Sequence, residues 1–182
     1  PAELRRSIGY VFQGIGLFPH MTVAENIAIT PRLLGHADTT GRVSELLDLV
    51  SLPRAYATRL PEQLSGGERQ RVGVARALAA GPAILLMDEP FGALDPITRE
   101  ALGQAARDLH DRLGLTTLMV THDVQEALLL ADRILIMAGG RLLADATPRD
   151  LLKGHPDPAV AALIDTPARQ ARALSALMDA GA

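Results

Sequence analysis

Between Gln63 and Asp95 the chain reads QLSGGERQRVGVARALAAGPAILLMDEPFGALD, and this stretch leaves few folds open. Ser65 followed three residues later by Glu68 is a capping-box pattern, so a helix begins at the glycine pair Gly66 and Gly67. It runs to about Ala80, where Gly81 supplies a left-handed stop and Pro82 cannot continue the helix. Ile84–Met87 is too short for a helix and has no polar interruption, which predicts a parallel strand buried on both faces. The strand ends in two carboxylates, Asp88 and Glu89. These are the parts of a phosphate site. Glycines let the backbone approach an anion, and the free N–H groups and dipole of a helix N-terminus favour its charge. A carboxylate at a strand end can hold Mg²⁺, usually through water, because that hard cation prefers oxygen ligands. The second carboxylate, expected on the opposite side of the strand, can orient and polarise an attacking water.

The rest of the chain supplies a frame. Ser7–Gln13 (SIGYVFQ) is a short apolar run and predicts a core strand. Thr22 and Glu25 form a second capping-box pattern that opens a helix, which Pro31 is expected to interrupt. A further helix is predicted across Gly41–Val50, where Val43, Leu46, Leu47 and Val50 share one face, and Tyr56–Pro61 is connecting chain. After Glu89 come a helix over Pro96–Leu113 closed by Gly114, a strand over Thr116–Thr121 and a helix over Asp123–Ala131. Ile134–Ala138 and Arg141–Ala144 flank Gly139 and Gly140 as a β-hairpin. Thr147 and Pro148 open a short helix to Leu152, and the Ala- and Leu-rich tail is helical after Pro158. Strand, helical insert, strand, helix, strand is the order of an α/β domain with a mostly parallel sheet. The expected organisation is a core of residues 1–13 and 82–150, a helical subdomain of about 14–81, and a helical tail of 151–182.

Composition narrows the function. The formal net charge of −3 gives no electrostatic footprint for nucleic acid. There is no cysteine, which excludes disulfides and thiolate metal sites. No run approaches the ~18 apolar residues of a membrane span, so a membrane role is expected through a partner. Lys153 is the one lysine and is followed by Gly154, so G-x-x-x-x-G-K-[ST], the loop whose lysine reaches the β- and γ-phosphates, cannot be written anywhere in these residues. Because a core strand already starts at Ser7, the expectation is that an N-terminal part bearing that loop is absent.

The motifs Leu64-Ser65-Gly66-Gly67-Glu68, Ile84–Glu89 and Phe91-Gly92-Ala93-Leu94-Asp95 resemble, in order, the signature motif, Walker B strand and D-loop of the ATP-binding subunits of ABC transporters. The likeness extends to about Asp150. It implies a P-loop NTPase-like (RecA-like) fold, ATP and Mg²⁺ as ligands, and a dimer of ATPase subunits that drives transmembrane permease subunits, with a substrate-binding protein acting indirectly. On this resemblance Asp88 and Gln13, the Q-loop glutamine, serve Mg²⁺. Glu89 acts on the attacking water, and His122 of the H-loop contacts the γ-phosphate. Ser65, Gly66, Gly67 and Glu68 complete the ATP site of the partner subunit, and Asp95 also acts across the dimer. Gly16–Val23, Glu25–Ala28, Arg71–Ala79 and Phe91–Arg99 look like the ATPases of osmoprotectant importers, which move glycine betaine, carnitine or choline. An importer of another small solute and a non-catalytic fragment are the alternatives. The subunit is expected at the cytoplasmic face of the membrane, with Leu17, Phe18 and Met21 near the permease contact.

Overall fold

A computed structural model of the protein describes residues 7–12, 16–92 and 94–179. Two compact units are present, residues 1–121 and 122–182.

The first unit is built on three parallel strands: β1 (Ile8–Val11), β2 (Ile84–Asp88) and β3 (Thr116–Val120), with β2 in the middle. The register aligns Tyr10, Leu86 and Leu118 across the sheet, and likewise Val11, Met87 and Met119. Side chains alternate between the faces of a strand, so the register sorts them into two sets. Val11, Leu85 and Met87 enter the core. On the other face Tyr10, Leu118 and Val120 are exposed, at 38%, 56% and 55%. Ile84, Leu86 and Asp88 are accordingly half-buried, which corrects the expectation that β2 is buried on both faces. Its apolar composition marks it as central in the sheet but does not report which face is covered.

Among the described residues four helices complete the unit: α1 (Val23–Leu33), α2 (Thr40–Leu49), α3 (Gly66–Leu78) and α4 (Pro96–Leu113). Short 3₁₀ turns at Arg54–Thr58 and Pro61–Gln63 occupy what the sequence suggested was plain connecting chain. Val23, Ile27, Leu46, Leu47, Val72 and Leu78 join Val11 and Leu85 in one continuous core. Arg42 of α2 ties the helices further, its guanidinium donating to the carbonyls of Leu78 and Ala79 at the end of α3. Pro31 does not end α1, contrary to expectation. It sits buried in the last turn, where a missing N–H removes a single helical hydrogen bond, and its own carbonyl accepts from Leu34 and His36 as the helix closes.

Gly9 shows why β1 can lie where it does. A Cβ there would stand 2.5 Å from the Ala77 carbonyl oxygen and 3.0 Å from Pro82 Cγ. The obstruction is backbone and a rigid ring, so little can yield. Gly9→Ala is therefore expected to destabilise the intact subunit by about 1–3 kcal/mol, the usual cost of overpacking. A urea midpoint equal to wild type would contradict this.

The second unit pairs β4 (Ile134–Ala138) with β5 (Arg141–Ala146) as an antiparallel hairpin, with a register shift at Ile136 and Met137. Helices α5 (Val124–Leu130), α6 (Pro148–Leu152) and α7 (Pro158–Asp179) accompany it. Ile134, Ala144, Leu151, Val160 and Ile164 form its own core.

Candidate functional site

Ser65 caps α3 as the sequence pattern requires. The Glu68 N–H donates to Ser65 Oγ at 3.3 Å, and the Ser65 N–H donates to Glu68 Oε2 at 2.7 Å. Hydrogen bonds to the carboxylate from the Ser65 backbone N–H and then from the Ser65 side chain hold the Glu68 carboxyl below its ordinary range. Ser65 is exposed, and a Cβ on Gly66 would meet nothing within 4 Å. An anion can thus approach both residues at the positive end of a 13-residue helix. Arg69 steadies the approach by donating to the Leu64 carbonyl at 2.8 Å. Gly67, by contrast, is buried.

Asp88 and Glu89 sit at the carboxyl end of β2. Asp88 is the last strand residue and is half-buried. Its carboxylate has no hydrogen-bond partner among the described residues, so its oxygens are available to a hard cation or its water shell. No group of three or more His, Cys, Asp or Glu able to hold a metal occurs among the described residues. One carboxylate with water and phosphate oxygens fits Mg²⁺, which is seldom caged by protein alone.

Glu89 leaves the strand conformation. Its φ is +46°, and its N–H donates to the Val120 carbonyl at 2.9 Å. A non-glycine residue in the left-handed region costs on the order of 1–3 kcal/mol, and such strain gathers at functional sites. The expected strand alternation between Asp88 and Glu89 therefore does not apply. The direction of Glu89 is set by this strained turn, which the link to β3 and the buried ring of Phe91 fix in place.

Asp95 caps α4. The Thr98 N–H donates to its Oδ1 at 3.0 Å, and hydrogen bonds from the Thr98 side chain and backbone hold its carboxyl below the ordinary range. Asp95 is exposed, and Arg99 donates to the Leu94 carbonyl just before it. Gln13 lies outside the described residues. His122 is exposed and opens the second unit, immediately before Asp123, which caps α5 by accepting from the N–H groups of Gln125 and Glu126.

Sequence reasoning missed two residues that shape the entry to α1. Asn26 is fully buried. Its Oδ1 accepts from the Phe18 N–H at 2.8 Å, and its Nδ2 donates to the carbonyls of Phe18, Met21 and Thr22. Arg76, far along the chain, donates to the Gly16 carbonyl at 2.7 Å, and burial lowers its pKa from the usual guanidinium value. A polar residue on the apolar face of α1 was the available signal for Asn26. Arg76 offered none.

Comparison with known proteins identifies relatives of this chain. The family described as ABC transporter matches residues 1–92. The choline transport ATP-binding protein OpuBA of Bacillus subtilis (strain 168) is 52% identical over 159 residues, covering 86% of this chain and 42% of that protein. The carnitine transport ATP-binding protein OpuCA of Listeria monocytogenes serotype 1/2a (strain 10403S) is 52% identical over 155 residues, covering 84% of this chain and 39% of that protein. The chain thus spans about two fifths of the length of these curated relatives. Among solved structures, the ATP-binding cassette MJ0796, a dimer in a post-hydrolysis state bound to ADP and Pi, superposes with a TM-score of 0.71 at 36% identity, covering 81% of this chain and 66% of that one. With the parallel sheet, the capped LSGG helix and the acidic strand end in place, the chain belongs to the ABC transporter family and has the α/β fold of its P-loop NTPase domain.

Proposed function

We propose that this chain is part of an ATP-binding and ATP-hydrolysing subunit that powers an ABC importer of quaternary-amine osmoprotectants. The observation that carries the ATPase reading is Glu89, held in a strained left-handed turn directly after Asp88 at the end of the central strand. Glu89 accepts a proton from the attacking water and orients it toward the γ-phosphate. His122 donates a hydrogen bond to that phosphate. Ser65 and the N–H groups of Gly66 and Gly67 stabilise charge on the ATP of the partner subunit, with Asp95 beside them. Asp88 and Gln13 would hold Mg²⁺, which when bound neutralises charge on the phosphate oxygens.

The substrate class rests on the 52% identity to proteins named for choline and carnitine transport. Residues 14–81 serve as the helical subdomain facing the permease. Phe18 is 40% exposed, and Met21, Glu25, Ile29, Arg32 and Leu33 line a groove beside it, a surface suited to a helix from a membrane subunit. None of the described helices is long and apolar enough to cross a membrane. The subunit attaches through the permease at the cytoplasmic face. Uptake of labelled choline, carnitine and glycine betaine by cells expressing the complete transporter tests this. Transport of none of them, with intact ATPase activity, would remove the substrate assignment and leave the ATPase.

The 182 residues by themselves are expected to turn over no ATP. Lys153 is paired with Asp150 at 2.7 Å and stands in no phosphate-binding loop. Sustained, Glu89-dependent hydrolysis by the purified chain would show that the lysine loop is dispensable.

A further inference from the structure

Gly67 and Thr98 press against each other where α3 and α4 begin. A Cβ built on Gly67 would lie 2.8 Å from Thr98 Cγ2 and 4.0 Å from Leu102 Cδ1, whereas one on Gly66 would meet nothing within 4 Å. The two glycines therefore differ in kind. Gly66 leaves room for an anion, and Gly67 leaves room for the neighbouring helix. Thr98 is held from its other side as well. Its N–H donates to Asp95 Oδ1, and its side chain hydrogen-bonds the same carboxylate. A β-branched side chain has few χ1 positions. Turning Cγ2 away from Gly67 would carry the hydroxyl off Asp95, so the two contacts stand or fall together.

We propose that Thr98 is a positioning residue that locks the signature loop to the D-loop, so that Ser65–Gly67 and Asp95 reach the partner's nucleotide as one rigid arm. This rests on the reading of the subunit as a dimeric ATPase. Ser65 and Asp95 both touch ground fixed by Thr98, the first through Gly67 and the second through its cap. A shift at Thr98 therefore misplaces both at once, while the nucleotide bound on the same chain keeps its own contacts.

The test compares Gly67→Ala, alone and combined with Thr98→Ser or Thr98→Val, in the complete transporter. Alanine is the better helix former, so propensity by itself predicts a higher Tm for Gly67→Ala; the Thr98 contact predicts a lower one. Gly67→Ala is expected to lower Tm and to reduce kcat about 10- to 100-fold, the scale of a misplacement near 1 Å, with KM for ATP close to wild type. Adding Thr98→Ser removes the methyl and keeps the hydroxyl, and restores both Tm and kcat. Adding Thr98→Val keeps a methyl and loses the hydroxyl, and restores neither. Equal rescue by serine and valine, rescue of Tm without kcat, or a Gly67→Ala variant as active as wild type overturns the proposal. A wild-type transporter that hydrolyses no ATP would instead sink the ATPase reading, and the proposal with it.

Discussion

Glu89→Gln in the intact subunit is expected to bind ATP as wild type does and to lose about 10²- to 10⁴-fold in turnover, the usual contribution of a positioned general base. The substitution is nearly isosteric and removes the negative charge together with the ability to accept a proton. The backbone features that place residue 89 survive it. Its φ of +46° and the hydrogen bond from its N–H to the Val120 carbonyl involve no carboxylate. The loop stays anchored by Phe91, which is 2% exposed. A loss of turnover therefore reports chemistry, and an unchanged Tm is the control for it. Equilibrium ATP binding and single-turnover hydrolysis separate the steps; wild-type-like turnover would remove Glu89 from its role. Glu89→Gly provides a complementary measurement. Glycine adopts the left-handed region freely, so this variant is expected to abolish turnover and yet raise stability by about 1 kcal/mol, the strain released at a functional position.

A second large effect is expected from mixing two inactive subunits. Ser65→Arg places bulk and charge on the exposed cap of α3, and on the proposed function it blocks the half-site that serves the partner. It leaves Asp88 and Glu89 of its own chain untouched. Glu89→Gln does the reverse. Each variant alone gives a homodimer in which both ATP sites are defective. A mixed dimer carries one whole site, made from Glu89 of the first chain and Ser65 of the second. After random reassociation, half the dimers are mixed and each has one site of two, so about a quarter of wild-type hydrolysis should return if the twofold-related sites act independently. A chain carrying both substitutions, mixed with either single variant, should recover nothing. Recovery absent from the first mixture, with mixed dimers demonstrated, would contradict a Ser65 that serves the partner's nucleotide at independently acting sites.

Much of the frame was legible because it is written in short-range chemistry. Thr22 with Glu25 and Ser65 with Glu68 form the capping boxes that their spacing announces. Gly114 closes α4 in the left-handed conformation, and Asp95 and Pro96 open it. These features depend on residues within one turn of each other, so a pattern of three or four positions determines them. The strands were found with nearly their observed limits for a related reason: a brief apolar run between breakers has few other uses. Pro31 misled because the effect of a proline depends on how many helical hydrogen bonds lie beyond it, and α1 had only its last turn left to make.

The sequence by itself determined that this is an α/β protein with a capped glycine-led helix, a central strand ending in paired carboxylates, and no lysine loop among its 182 residues. Only the tertiary structure decided what those parts are held by. The left-handed turn of Glu89 is tied to Val120, 31 positions away. Gly67 is packed by Thr98, likewise 31 positions on, and the Gly16 carbonyl is met by Arg76. Composition at one position cannot encode such contacts, because each exists only when two distant segments are brought to within a few ångströms. The opening glycine pair shows the difference most clearly. Its two residues are the same letter in the sequence, and the fold leaves open space beside one and packs a helix against the other.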